Sequence, residues 1–385
     1  MKILAVGGGS GGHVTPVVAV LRELRALHPR AEIRFWSDVK FGDQAKSIMA
    51  HSDTKVKVSK IVAGKLRRYY NLSMWRQLAR PFSIVLPNIR DFFLVGIGTL
   101  QSIVKLIAWR PDVVFTKGGY VCLPVGFAAH LLRIPLVVHD SDAHPGLTNR
   151  ILSRWASAIA TGSPIEYYPY PKNITKYVGI PVAPEFTEYN EEQKKLAKTA
   201  LGFRADTPLV VVTGGGLGAE RINTAIEQTL DELLPLTQVA LVAGSNQYDD
   251  LRSLTPENND RFQLLSFIPP QEMAMYMGAA DIVVTRAGAT TLLELAAMAK
   301  PIILVPNGHL TGGHQLKNAA VYRDKNAAVI VDDDELDKEP HLLFDAISLL
   351  LHDPKAMTQL SHQLSEFAKP EAAHDVAEMI LSVVK

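Results

Sequence analysis

Lys2-Ile3-Leu4-Ala5-Val6, followed by Gly7-Gly8-Gly9-Ser10-Gly11-Gly12-His13, decides the fold. A short apolar run bounded by glycine reads as a strand buried on both faces. The glycines allow a tight turn, and the apolar spacing from Thr15 to Leu27 is that of a helix. A second strand, Ala31-Glu32-Ile33-Arg34-Phe35-Trp36, follows. Asp112-Val113-Val114-Phe115 and Leu136-Val137-Val138-His139 come later, separated by helix-length segments. Apolar strands alternating with helices predict a doubly wound parallel sheet. The pattern then restarts: a strand over Pro208–Thr213, a glycine turn at 214–218, and a helix from about Ala219. Further strands are expected at 238–243, 281–285, 301–306 and 327–331. The Pro- and Tyr-rich stretch from Pro164 to Pro184 reads as the end of the first domain and a linker.

The 385 residues suit two such domains, with a ligand cleft between them at the carboxyl ends of the strands. A hydrophobic share of 47% and a charged share of 21% exclude a disordered tail, a collagen and a small disulfide scaffold. The single cysteine, Cys122, cannot form an internal disulfide and points to a reducing compartment. The first apolar run is too short for the core of a signal peptide, so a cytoplasmic chain is expected. Charge is split between the halves. Residues 1–178 carry 24 Lys and Arg against 10 Asp and Glu, and residues 179–385 carry 16 against 29. A basic half suggests an anionic partner: phosphate, nucleic acid or an acidic membrane surface.

Glycines let a backbone approach a phosphate, and the helix start behind them offers free N–H groups and a partial positive charge. Gly7, Gly9 and Gly12 fit G-x-G-x-x-G, with Asp38 where a ribose-binding acid would sit, which is a weak dinucleotide signal. Thr213-Gly214-Gly215-Gly216-Leu217-Gly218-Ala219 repeats the arrangement in the second half. Two phosphate-type loops suit two phosphate-bearing substrates, and so a transferase over an oxidoreductase.

Gly8-Gly9-Ser10-Gly11-Gly12-His13-Val14-Thr15-Pro16 resembles the GGxGGHxxP opening of the MurG family of glycosyltransferases, in family 28. The resemblance continues through Thr116-Lys117-Gly118-Gly119-Tyr120, His139, Gly146-Leu147-Thr148-Asn149 and Gly214–Ala219. It closes with Arg286-Ala287-Gly288-Ala289-Thr290-Thr291-Leu292-Leu293-Glu294, His314-Gln315 and Asn318-Ala319. It implies a GT-B fold, two Rossmann-like doubly wound parallel-sheet domains facing a cleft. Residues 1–178 would form the acceptor- and membrane-binding domain and 179–361 the UDP-sugar domain, with a final helix over about 362–385 packing back on the first.

The implied activity is inverting transfer of N-acetylglucosamine from UDP-GlcNAc to undecaprenyl-diphosphate-linked muramyl-pentapeptide. It would take place at the cytoplasmic face of the cell membrane, in peptidoglycan synthesis. In the implied donor site, Glu294 holds the ribose hydroxyls, and the helix start at Gly288, Ala289 and Thr290 faces the phosphates beside Arg286. Gly215, Gly216, Leu217 and Gly218 form the donor-side loop, and Phe267 and Ile268 line the uracil. Gln315, His314 and Asn149 lie at the sugar. Ser10, Gly11, Gly12 and His13 would meet the acceptor diphosphate. Four positions depart from the family pattern: Gly216-Leu217 replace Ser-Gln, Asp142 replaces Asn, and Ala183 replaces Arg. Other readings are a UDP-sugar transferase with another acceptor, a UDP-GlcNAc 2-epimerase-like isomerase, and a nucleotide-sugar binding module.

Glycosyl transfer needs a base for the attacking hydroxyl, and His13 and Asp142 are the candidates. Asp140-Ser141-Asp142 has the look of a Mg²⁺ or Mn²⁺ pair, but Pro145-Gly146 ends the strand, and the implied fold requires no metal or other cofactor. Residues 60–110 carry nine basic side chains and one acid among apolar and aromatic residues. Arg67, Arg68, Trp75, Arg76 and Phe82 are the expected contacts to an anionic membrane surface. No nucleic-acid motif is present. Phe92–Trp109 is apolar but interrupted by Gln101, Ser102 and Lys105, so a core or surface-docked helix is expected over a span.

Overall fold

A computed structural model describes residues 1–8, 11–66, 75, 79–215, 218–254, 260–309 and 313–384. The chain divides into two compact units, Met1–Ala183 with Lys369–Lys385, and Pro184–Ala368. The first therefore runs beyond the expected boundary at 178, and the return to it begins at Lys369, not at about 362.

In the first unit the strands are β1 Lys2–Val6, β2 Glu32–Asp38, β3 Lys57–Ile61, β4 Val113–Thr116, β5 Leu136–Asp140, β6 Ala158–Thr161 and β7 Thr175–Tyr177. They form one sheet in the order β3-β2-β1-β4-β5-β6-β7. Every pairing in it is parallel. The helices are α1 Gly11–Leu27, α2 Gly42–Ser52, α3 Leu86–Trp109, α4 Cys122–Leu131, α5 Leu147–Leu152 and, from the far end of the chain, α14 Ala372–Ser382. Ile3, Ala5, Val17, Leu21 and Leu24 share one core with Val376, Ala377 and Ile380. That burial ties the last helix to the first unit. Leu4, Val6, Val114 and Val138 fill the other face of the sheet with Val125 and Leu152.

The Pro- and Tyr-rich stretch is not a linker. Its Thr175–Tyr177 is the outer strand β7, and Tyr168 and Tyr170 stack with ring centroids 5.5 Å apart and are buried.

The segment expected to dock as a helix does so. A π-helical turn at Pro81–Val85 leads into α3. Its inner face is polar and small: Asp91, Gly98, Thr99 and Ser102 are buried with Leu106 and Trp109. Gly98 is needed there, because a Cβ would lie 1.9 Å from the Val62 carbonyl oxygen. Gln101 accepts a 2.9 Å hydrogen bond from the Val62 N–H. The outer face carries Phe82, Leu86, Ile89, Phe93, Ile97, Leu100, Val104 and Ile107, all exposed, at steps of three or four. This is an apolar stripe turned away from the sheet. Among the described residues, Pro81–Trp109 is the only helical stretch long and apolar enough to cross a membrane.

The second unit repeats the plan. Its strands are β8 Leu209–Thr213, β9 Gln238–Val242, β10 Phe262–Leu265, β11 Ile282–Thr285, β12 Ile302–Leu304 and β13 Val329–Ile330. Their order is β10-β9-β8-β11-β12-β13, all parallel. Helices α6 Glu191–Ala200, α7 Glu220–Leu233, α8 Tyr248–Leu254, α9 Pro270–Ala279, α10 Ala289–Ala297, α11 His314–Asp324, α12 His341–Leu351 and α13 Pro354–Ser365 complete it. Val210, Val212, Ile226, Leu230, Leu241, Val284 and Ile347 are among the residues of its core. The strand order reverses at β1/β4 in one unit and at β8/β11 in the other. Such switch points, at the carboxyl ends of parallel strands, are where this architecture binds ligands.

Candidate active site

Parallel strands bring successive loops to one sheet edge. In the second unit, the loops after β8, β9, β10, β11 and β12 gather there. Gly218 has φ +81°, and a Cβ would lie 2.1 Å from the Ala243 carbonyl oxygen after β9. Its N–H donates to the Gly215 carbonyl at 2.9 Å, closing the turn before α7. Gly216 and Leu217 lie outside the described residues. The Gly244 N–H donates to the Ser266 carbonyl at 2.8 Å, so Phe267 and Ile268 stand beside this turn. Phe267 is 63% exposed, while Ile268 is buried.

Gly288 caps α10, with no side-chain cap hydrogen bond among the described residues. Ala289 and Thr290 form its first turn, which contains no acid. α11 begins at His314 after Gly313 (φ +62°), again with no side-chain cap. Open helix starts of this kind favour an anion. Gln315 accepts from the Asn307 N–H at 2.8 Å, which orients its amide, and Asn318 donates to the Ala287 carbonyl at 3.1 Å.

Arg286 is not turned wholly to a ligand. Its guanidinium pairs with the buried Asp333 and donates to the Val305 carbonyl at 2.8 Å. Arg221 meets the same Asp333 at 2.8 Å and also pairs with Asp334 and Asp337. Glu294 is therefore no partner of Arg286. It is half-buried on α10, and its carboxylate makes no hydrogen bond or ion pair among the described residues. Burial, with the charge of Glu185 added, pushes its pKa up to about 7. A carboxylate held without a protein partner is ready for hydroxyl donors from a ligand.

In the first unit, β1, β2, β4 and β5 deliver Gly7–Gly8, Asp38, Lys117–Tyr120 and Ser141–Asn149 to one edge. Gly11, Gly12 and His13 open α1; the side chain of His13 and all of Ser10 lie outside the described residues. Asp38 is not poised for a ribose. Its Oδ1 accepts the N–H groups of Lys40 and Phe41, both at 3.0 Å. Its carboxylate also accepts from Tyr120, whose hydroxyl is pushed up chiefly by burial. The dinucleotide reading loses its acid in this way.

Around Asp142 lies a buried polar group that the sequence did not announce. Lys117 is 1% exposed, and its ammonium donates to the Ser141 hydroxyl. Asp140 is buried too, and its Oδ2 accepts the Tyr170 hydroxyl at 2.6 Å. The Tyr168 hydroxyl donates to the Asp142 carbonyl at 2.7 Å. Asn149, expected at the donor sugar, is buried in this first unit and donates to the His139 carbonyl at 3.3 Å. Its Oδ1 has no partner among the described residues. Burial drives the Asp140 pKa up to about 7 against the Tyr170 hydrogen bond, and the Lys117 pKa down to about 8 against Asp140 and Asp142. Between 3.8 and about 7 the folded chain keeps a proton on Asp140 that the unfolded chain releases, so this group lowers stability as pH rises through that window. Tyr170→Phe removes one hydrogen bond to a carboxylate. It is expected to cost about 1.5 kcal/mol, and more at pH 8 than at pH 5, in paired denaturant titrations.

No group of three or more His, Cys, Asp or Glu suited to a metal ion occurs among the described residues. Trp75 and Phe82, expected at a membrane, are 82% and 84% exposed. Arg67, Arg68 and Arg76 lie outside the described residues.

Comparison with known proteins agrees with this architecture. Residues 3–161 match the glycosyltransferase family 28 N-terminal domain, and residues 209–376 match the family 28 C-terminal domain. A UDP-N-acetylglucosamine--N-acetylmuramyl-(pentapeptide) pyrophosphoryl-undecaprenol N-acetylglucosamine transferase of Acetivibrio thermocellus is 31% identical, over 100% of this chain and 99% of its own. The enzyme of that name from Listeria monocytogenes is also 31% identical, over the whole of both chains. The crystal structure of Acinetobacter baumannii MurG superposes with a TM-score of 0.74 at 23% identity, over 99% of each chain. A UDP-GlcNAc 2-epimerase from Neisseria meningitidis shares the fold at a TM-score of 0.65 and 13% identity, over 99% of this chain and 100% of its own. The chain belongs to glycosyltransferase family 28, in the MurG group.

Proposed function

We propose that this chain moves N-acetylglucosamine from UDP-GlcNAc to the 4-hydroxyl of the muramyl sugar on undecaprenyl-diphosphate-linked muramyl-pentapeptide, with inversion, in peptidoglycan synthesis. The observation that carries this reading is the 31% identity, spanning the whole chain, to transferases named for that reaction. The open starts of α10 and α11, and a Glu294 carboxylate with no bond among the described residues, supply what a nucleotide-sugar site needs, and so support it.

In this reading Glu294 accepts the ribose hydroxyls, and Phe267 and Ile268 flank the uracil. The N–H groups at Gly288–Thr290 take up charge as the diphosphate departs, and His314 and Gln315 hold the sugar. Leaving-group charge falls on backbone dipoles, so no metal enters the steps. The base is Asp142 or His13, and His13 with the first glycine loop meets the acceptor diphosphate. Positioning two substrates supplies much of the rate.

The stripe on α3, with Trp75 and Phe82, docks the protein on the cytoplasmic face of the membrane, where a lipid-linked acceptor is presented. The buried polar face of α3 keeps the helix on its own sheet, which favours lying at the interface over crossing it. UDP release is expected only when both UDP-GlcNAc and the lipid acceptor are present, and full activity is expected in excess EDTA. Epimer formation from UDP-GlcNAc alone would overturn the transferase reading, and loss of activity in EDTA would overturn the metal-free mechanism.

A further inference from the structure

We infer that Lys117 is a positioning residue for transfer: its buried ammonium, tied to Ser141 between Asp140 and Asp142, fixes the loop that carries Asp142 as the base. The inference rests on Asp142 being the base in the reaction proposed above.

A fully buried ammonium is costly unless anions and hydrogen bonds surround it. Lys117 follows β4 and Ser141 follows β5, and these are neighbouring parallel strands, so both lie at the same sheet edge. The ammonium bonds Ser141 and lies within Coulombic reach of both flanking carboxylates. These two carboxylates differ. Asp140 is closed off by Tyr170 and Asn149 and leans towards its protonated form. Asp142 is half-exposed, and its backbone carbonyl is pinned by Tyr168. The Tyr168 hydroxyl in turn accepts the Ser163 N–H at 3.2 Å. The loop is thus fixed from three sides, and the half-exposed carboxylate of the pair is the one it presents.

When the attacking hydroxyl gives its proton to an Asp142 oxygen, its O–C bond to the anomeric carbon forms, and the bond from that carbon to the UDP oxygen breaks. The ammonium keeps its hydrogen bond to Ser141 through this step. The charged and titratable groups packed around this point are Lys117 and Cys122 from the β4–α4 side, Asp140 and Asp142 from β5 and its loop, Tyr168 and Tyr170 from the segment before β7, and Arg150 from α5.

The test compares Lys117→Met, Ser141→Ala, Asp142→Asn and the Lys117→Met/Asp142→Asn double variant, with kcat, both KM values and thermal midpoints. Methionine fills the lysine's volume but leaves Ser141 and the two carboxylates without the ammonium, so the thermal midpoint of Lys117→Met is expected to fall, and kcat is read well below it. Its kcat is expected to fall about 30-fold, with the donor KM unchanged, since part of the base contribution is lost. The double variant is expected to be no slower than Asp142→Asn alone, as for two residues acting as one unit. Wild-type kcat in Lys117→Met, with Asp142→Asn inactive, overturns the positioning role and leaves the base. An active Asp142→Asn overturns the base assignment, and the positioning role with it. Should Lys117→Met not fold, Ser141→Ala decides: about a 5-fold drop in kcat is expected from one lost hydrogen bond, and no drop overturns the inference.

Discussion

Glu294→Ala is expected to raise the KM for UDP-GlcNAc about 100-fold, the cost of removing a charged partner of two ribose hydroxyls. The acceptor KM should stay within about twofold, because the change lies in the UDP-sugar half of the binding energy. Stability should not fall. The carboxylate has no partner to lose among the described residues, and its pKa of about 7 means that burial beside Glu185 already disfavours the charge. From 4.5 up to about 7 the folded state retains a proton that the unfolded state has released, so ionised Glu294 subtracts stability as pH rises through that window. Glu294→Gln should therefore unfold at a higher temperature than wild type at pH 8 and at the same temperature at pH 4. Donor binding carries the opposite sign. Ribose hydroxyls are better donors to a carboxylate than to a carboxyl, so wild-type affinity should weaken as pH falls below about 7, while the Gln variant shows a flat profile. Calorimetric titration with UDP-GlcNAc checks both. Wild-type affinity in Glu294→Ala would remove the residue from the site.

Much of this architecture could be read from residue order, for a physical reason. β1, β4, β5, β8 and β11 are buried on both faces, so each is a near-continuous apolar run with a glycine, lysine, serine or arginine directly behind it. β3, β7 and β10 lie at sheet edges, where one side or end meets water. Lys57-Val58-Ser59-Lys60-Ile61 and Thr175-Lys176-Tyr177 consequently lack a run to detect. The glycine loops were legible because only glycine allows φ +81° against a carbonyl at Gly218. The Lys117 group was not. Its members come from β4, the end of β5 and a proline-rich stretch that looked like a linker, and only folding makes a buried lysine the neighbour of Ser141. Arg286 shows the converse. Its place in the motif suggested a ligand, but the residue that takes its charge, Asp333, follows β13 and gives no local sign of doing so.

Phe93→Glu with Leu100→Glu is expected to weaken partition onto vesicles containing anionic lipid more than about 100-fold. Each replaces an exposed apolar side chain on one stripe of α3, at 65% and 67% exposure, with a charge. Burying such a side chain in the acyl boundary contributes about 1.5 kcal/mol, and two together account for the loss. Folding should be untouched, because both point away from Gly98, Ser102 and Leu106, which pack inward. Activity on a short-chain, water-soluble acceptor should persist, while activity on vesicle-borne acceptor should fall with binding. The basic residues near the stripe act differently. Arg90 reaches out from its pair with Asp91, and Lys105 donates to the Lys60 carbonyl at 3.2 Å. Their attraction to anionic headgroups is screened by salt, whereas the apolar term is not. Raising ionic strength should therefore remove only part of wild-type binding and most of what remains after the double substitution. Undiminished vesicle binding in that variant would place the membrane contact on another face of the molecule. A matching loss on neutral vesicles would assign the contact to the apolar stripe ahead of the basic side chains.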